Sequence, residues 1–281
     1  MRDLISSPQL ISINSATINH CVKPSCLIEE CSKFHIGAIG PWVHEFPDEK
    51  SIRDTVKALN NTGLKISCLS RSGYMSAEGN ESKKNLENNF RYLDLAAKLG
   101  APCFGLVVGG LCLPNKDLNY TKSIIKENIS TLLQKAKELN VSLGLESLHP
   151  MTCANRSVLC SIKESIDWCE ELDPNLEYGF GIIVDVYHTW WDPELFSQIT
   201  RAKNRILGFH VSDWDFNTVD TVYGRVLPGD GVIDIPKIRA AVEDTGFQGY
   251  IELEVLNKKI VSPMEIKNYL PFLLQKVSSS C

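Results

Sequence analysis

Four short apolar runs each end in a side chain that can bind a cation or carry a proton: Gly144-Leu145-Glu146, Ile183-Val184-Asp185, Gly208-Phe209-His210 and Glu252-Leu253-Glu254. One such residue alone would be a cap or a solvated rim group. Three carboxylates gathered around an apolar mouth repel one another unless a cation neutralises them, so the set points to a divalent metal. Three oxygen donors with one imidazole suit Mn²⁺ or Mg²⁺, and Co²⁺ or Zn²⁺ can also be held. Four protein ligands leave an octahedral ion two positions, which two adjacent oxygens of a hydroxy-ketone or vicinal diol would fill. The last run offers two acids on one face of a strand. Glu254 is nearer the rim and is the better ligand; Glu252 lies a layer deeper, with no partner evident.

Other residues near these ends could contact a substrate. His188 follows Asp185 by three positions, so it reaches the same site only if the chain has already left the strand, which the following Trp190-Trp191-Asp192-Pro193 allows. Arg225 precedes the turn Pro228-Gly229-Asp230-Gly231, while Arg71 and Arg156 could hold a carbonyl, carboxylate or phosphate. His149 could donate to a hydroxyl or cap its loop, and Trp42 and Trp191 offer indole faces on which a sugar ring could stack.

These residues need a scaffold that brings distant strand ends together. Eight apolar runs recur along the chain, at Leu10–Ile13, Ile36–Ile39, Leu64–Leu69, Cys103–Val108, Val141–Leu145, Gly181–Val186, Ile206–Val211 and Tyr250–Val255. Helical stripes lie between them: Leu86, Phe90, Leu93 and Ala97 before Gly100, then Ile125, Ile129, Leu132, Ala136 and Leu139. Continuous apolar strands separated by helices make a parallel sheet covered by helices. Eight units without a linker or a Gly-rich fingerprint predict a single (β/α)₈ barrel domain over residues 1–281, with its active site at the C-terminal strand ends.

With 29 Lys+Arg against 34 Asp+Glu the net charge is −5, which argues against a nucleic-acid binder. No run is long enough to span a membrane, and the N-terminus does not read as a signal peptide. A soluble, cytoplasmic chain is expected. Its ten scattered cysteines, without a CxxC pair, are expected to be reduced thiols.

The strand-end pattern resembles the xylose isomerase-like barrels of the sugar phosphate isomerase/epimerase superfamily. The resemblance rests on Leu145-Glu146-Ser147-Leu148-His149-Pro150-Met151, Asp185-Val186-Tyr187-His188-Thr189-Trp190-Trp191-Asp192-Pro193, Phe209-His210-Val211-Ser212-Asp213-Trp214 and Gly229-Asp230-Gly231-Val232-Ile233-Asp234. It implies Glu146, Asp185, His210 and Glu254 as metal ligands, Glu146 and Glu254 as the acid/base pair, and His188 and Arg225 as substrate contacts. It also implies pairing into a homodimer or homotetramer. Ser147-Leu148-His149-Pro150 lacks the further glutamate of related ketose epimerases, and the Gly229-Asp230-Gly231 turn lacks the Asp-x-His pair of the trinuclear-zinc endonucleases.

The expected activity is a metal-dependent sugar isomerase or epimerase acting on a small carbohydrate by proton transfer through an enediolate. A lyase eliminating β to the carbonyl of a keto-sugar or inosose shares the first half of that reaction. A non-catalytic sugar-binding barrel and a nuclease rank below both.

Overall fold

Polar N-caps and left-handed C-caps cut the chain into alternating strands and helices. The computed structural model describes residues 1–113, 115–257 and 266–281. Along it run β1 (Ile11–Asn14), α1 (Pro24–Lys33), β2 (Ala38–Gly40), α2 (Glu49–Thr62), β3 (Lys65–Ile66), β4 (Leu69–Gly73) and α3 (Gly79–Leu99). There follow β5 (Cys103–Val107), α4 (Leu118–Leu139), β6 (Ser142–Glu146), α5 (Ile162–Leu172), β7 (Phe180–Asp185), α6 (Val186–Thr189) and α7 (Leu195–Ala202). The last elements are β8 (Ile206–Val211), β9 (Asp213–Trp214), β10 (Arg225–Val226), α8 (Ile235–Asp244), β11 (Ile251–Leu253) and α9 (Ile266–Ser280). Asp48, Asp117, Ser161 and Asp234 each accept a first-turn N–H of α2, α4, α5 and α8. Asn140 ends α4 in the left-handed region, at φ 55°. Among the described residues no helix is long and apolar enough to cross a membrane.

The strands pair in the order β3-β2-β1-β11-β8-β7-β6-β5-β4, and every described neighbour pair is parallel. The two ends of that order belong to one apolar run. Leu64–Leu69 is therefore not the single strand the sequence predicts: the ladder lapses at Ser67-Cys68, leaving β3 on β2 and β4 on β5. Ser67 N–H donates to Ile39 O and Ser70 N–H to Pro41 O, each at 3.0 Å, and Trp42 bridges to Ser70. These contacts bring the ends together into a nearly closed (β/α)₈ TIM barrel. The Tyr250–Val255 run is likewise shorter than expected, so Glu254 lies one residue past β11; its N–H still donates to Val211 O at 3.0 Å.

Side-chain alternation separates two interiors. Outward residues such as Phe104, Leu143, Leu145, Phe180, Ile182 and Phe209 join the stripes Leu93, Ile125, Ile129 and Leu132 of the helices in one large apolar core. The inside of the barrel is narrow, with Ile183 packed against Cys68 and Cys103. Gly144 makes room for this plug, since a Cβ there would come within 2.9 Å of both Cys103 Sγ and Ile183 Cγ1.

Helix α8 fastens both ends of the described chain. Arg239 Nε donates to Glu243 Oε1 at 2.9 Å and its Nη1 to Cys281 O at 3.1 Å; Arg2 donates to Glu243 from its backbone N at 2.8 Å and its Nε at 3.1 Å. Burial opposes ionisation of Glu243, but the bonds from Arg2 and Arg239 outweigh it and hold its carboxyl below the usual glutamate value of 4.5. A depressed folded-state pKa adds stability above the unfolded value, and that stability is lost as pH falls through the folded one. Glu243→Gln is expected to cost about 1.5–3 kcal/mol near neutrality. Thermal melts from pH 7 downward should show the gap from the wild-type protein closing below the glutamate range.

Candidate metal centre and active site

Barrel geometry delivers one ligand from each of four adjacent strands. Glu146 is the last residue of β6, Asp185 the last of β7, His210 lies inside β8, and Glu254 just follows β11. One potential ligand atom from each lies within 4.8 Å of the others. His210 Nδ1 stands 3.3 Å from Glu146 Oε1 and 3.5 Å from Glu254 Oε2. Glu146 Oε1 and both His210 ring nitrogens are buried without a hydrogen-bond partner. Orphaned polar atoms at such depth are costly, and converging hard donors plus an imidazole are what a divalent cation binds, so this cluster could hold one.

Asp185 is also the N-cap of α6, its Oδ1 accepting the Tyr187 N–H at 2.8 Å. This turn answers the question the sequence left open. The chain leaves the strand at Asp185, and the helical turn swings His188, buried to 1% exposure, back towards the same mouth. His188 Nδ1 accepts the His149 N–H at 3.1 Å, which assigns the proton of a neutral ring to Nε2. Burial, with Arg225, Arg156 and His149 nearby, lowers the His188 pKa well below its ordinary value despite Asp185. His188 Nε2 then faces Arg225 Nη2 at 2.9 Å, two donors with no acceptor between them.

Arg225 reaches the mouth from the β9–β10 hairpin. The loop after it is shaped by Asp213, which accepts the N–H groups of Gly229 and Gly231 at 3.0 Å and of Ile233 at 2.9 Å. Arg225 Nη1 lies 2.9 Å from Asp185 Oδ2, 3.3 Å from Glu254 Oε2 and 3.3 Å from Ser212 Oγ, with the guanidinium over the Tyr187 ring. Burial disfavours its charge, but Asp185, Glu254 and Glu146 more than compensate and raise its pKa. Burial raises Glu146 above the usual carboxylate range, with Glu254 and Asp185 adding to it against the pull of His210. For Glu254 burial is outweighed by His210 and Arg225, which hold it at about 2.

A cavity of only about 20 Å³ remains at the centre, lined by Trp42, Ser70, Arg71, Arg156, His188, Arg225 and Glu254 among others. Arg71 packs over the Trp42 ring at 5.1 Å, and Arg156 Nη1 is buried without a partner. His149 and Trp191 do not line this cavity. They stand behind His188: Trp191 Nε1 donates to His188 O at 2.8 Å, and the His149 ring packs on Trp214 at 5.0 Å. The sequence reading missed Asn14, Ser212 and Ser70. Asn14 ends β1 with its Nδ2 donating to Glu252 Oε1 at 2.7 Å, and its polar side chain at a strand end was the available signal.

The chain matches the family described as Xylose isomerase-like TIM barrel over residues 29–273. Protein SMc04130 from Sinorhizobium meliloti 1021 is 33% identical, with a TM-score of 0.92 over 98% of this chain and 99% of that one. Two more distant structures share the fold. The IOLI protein, solved with a binding zinc atom, is 16% identical with a TM-score of 0.78, covering 96% and 95% of the two chains. The 3-keto-D-glucoside 4-epimerase YcjR from E. coli is 17% identical with a TM-score of 0.71, covering 95% and 99%. No curated protein matches the sequence.

Among the described residues Arg225 is the cation nearest the carboxylates, so its removal tests the electrostatics of the site. Arg225→Met is expected to destabilise the chelator-treated protein by about 3–5 kcal/mol, because two buried charges lose their partner. Added Mn²⁺ should recover part of that loss. Melts with and without metal check it, and a variant indistinguishable from wild type in chelator would contradict the assignment.

Proposed function

Because this chain belongs to the xylose isomerase-like TIM barrel family, we propose that it is a divalent-metal-dependent isomerase or epimerase of a small carbohydrate. The observation that carries this reading is the pairing of Glu146 and Glu254 about His210 Nδ1, beside two donors that lack an acceptor. A divalent cation held by Glu146, Asp185, His210 and Glu254 would supply Lewis-acid polarisation of a carbonyl and its neighbouring hydroxyl.

The residues of the chain do the rest. A substrate oxygen accepting from both His188 Nε2 and Arg225 Nη2 removes their mutual conflict and fixes the sugar at the mouth. Glu254, kept ionised by His210 and Arg225, takes the proton from the carbon beside the carbonyl. Glu146, whose burial favours its protonated form, returns a proton. Return to the same carbon inverts a centre, and return to the neighbouring carbon moves the carbonyl; positioned groups of this kind contribute about 10²–10⁴-fold. Trp42 supplies an apolar face, and Arg71 and Arg156 further donors, for the remainder of the sugar. The net charge of −5 favours a small carbohydrate over a nucleic acid.

Incubation with Mn²⁺ in D₂O and a panel of ketoses and keto-glycosides is expected to place deuterium at the carbon beside the carbonyl of at least one substrate. Glu254→Gln should fold and bind metal more weakly, with exchange reduced on the order of 10³-fold or more. Loss of water from the product, read by mass spectrometry, would assign a lyase instead. Metal-bound protein that exchanges no sugar proton would overturn the proposal.

A further inference from the structure

Glu252 is a fourth carboxylate inside the barrel, and no step above uses it. Its residue is 2% exposed, and it lies on the inward face one layer below Glu254. The pocket that holds it is specific. Asn14 Oδ1 accepts the Ala16 N–H at 3.0 Å, which fixes the amide so that Nδ2 must point to Glu252 Oε1, at 2.7 Å. Two strands away, at the end of β2, Gly40 leaves the space that Oε1 occupies, since a Cβ at position 40 would lie 1.9 Å from it. On its other side Glu252 Oε1 faces His210 Nε2 at 3.8 Å. The two nitrogens of His210 therefore face two layers of acid, Nδ1 towards Glu146 and Glu254 and Nε2 towards Glu252.

Building on the metal reading, we infer that Glu252 is a positioning residue for His210 and gives the centre a preference for a transition-metal dication, such as Zn²⁺ or Mn²⁺, over Mg²⁺. At 3.8 Å the two are not hydrogen-bonded, but the negative charge of a carboxylate behind an imidazole favours the proton on the nitrogen it faces. That leaves the other lone pair for the cation and makes the ring a stronger donor. A stronger nitrogen donor matters most to Zn²⁺, less to the more oxygen-preferring Mn²⁺ and least to Mg²⁺, which is held mainly by oxygen and water. A carboxylate so buried is costly, and no Lys or Arg pairs with it among the described contacts; the imidazole is the basic group it faces.

The test is calorimetric titration of Zn²⁺, Mn²⁺ and Mg²⁺ into chelator-stripped wild type and Glu252→Gln, with a melt of each metal-free protein. Glu252→Gln is expected to bind Zn²⁺ about 10–100-fold more weakly, with a smaller loss for Mn²⁺. Mg²⁺ affinity should hardly change, and the metal-free melt establishes that the variant folds. Unchanged affinity for all three ions, or an equal loss for all three, overturns the inference while leaving the metal reading intact. Wild-type protein that binds none of the ions overturns both. Should Glu252→Gln not fold, Asn14→Ser releases the carboxylate without removing it; it is expected to show the same selective loss, and a uniform loss there counts equally against the proposal.

Discussion

Mutual repulsion among buried acids governs how the functional end of this barrel is built. Glu146, Asp185, Glu252 and Glu254 crowd the inside of one barrel end with little solvent to screen them. Each neighbouring feature offsets part of that cost. Arg225 is brought from a separate hairpin to pair with Asp185 and Glu254, and the start of α6 gives Asp185 an N–H donor. Asn14 serves Glu252, and His210 stands among the acids as the shared imidazole. What these groups leave uncompensated is a centre of negative potential sized for a small cation.

The parallel barrel makes such crowding affordable to the fold because stability and chemistry occupy different faces of the same strands. Phe180, Ile182 and Val184 of β7 face the helices, while Ile183 and Asp185 face inward. The apolar core outside the barrel is large enough to carry an interior of acids, thiols and glycines. That division also explains why the ionisable residues fall at strand ends, where the apolar alternation can stop without breaking the core.

The same division governs how much of the molecule could be read from its sequence. Apolar runs ending in Glu, Asp and His were legible because the run and its terminal residue are local, and the order of strands follows from the barrel. The lapse at Ser67-Cys68 was not legible, since it arises where the two ends of the strand order, β3 and β4, meet across the closure rather than from any local breaker. His188 was readable only as a conditional, because three residues of strand and three of helix place it on opposite sides. Asn14 gave only the weak signal of a polar side chain at a strand end and Ser212 gave none: their roles are set by partners more than 10 residues away in β11 and β10. Glu252 was visible as an acid but not as the neighbour of His210, a relation created by the register between β8 and β11.

The central cavity, about 20 Å³, has room for little more than one water molecule. A sugar ring is larger than this gap, so side chains at the mouth such as Arg71 must give up some of the space they fill when one is seated. Where that adjustment precedes binding, the affinity measured is the intrinsic affinity scaled by the fraction of molecules already adjusted. Ligands that differ only in reach beyond the mouth would then share one rate-limiting adjustment, and their association rates would converge even where their dissociation rates do not.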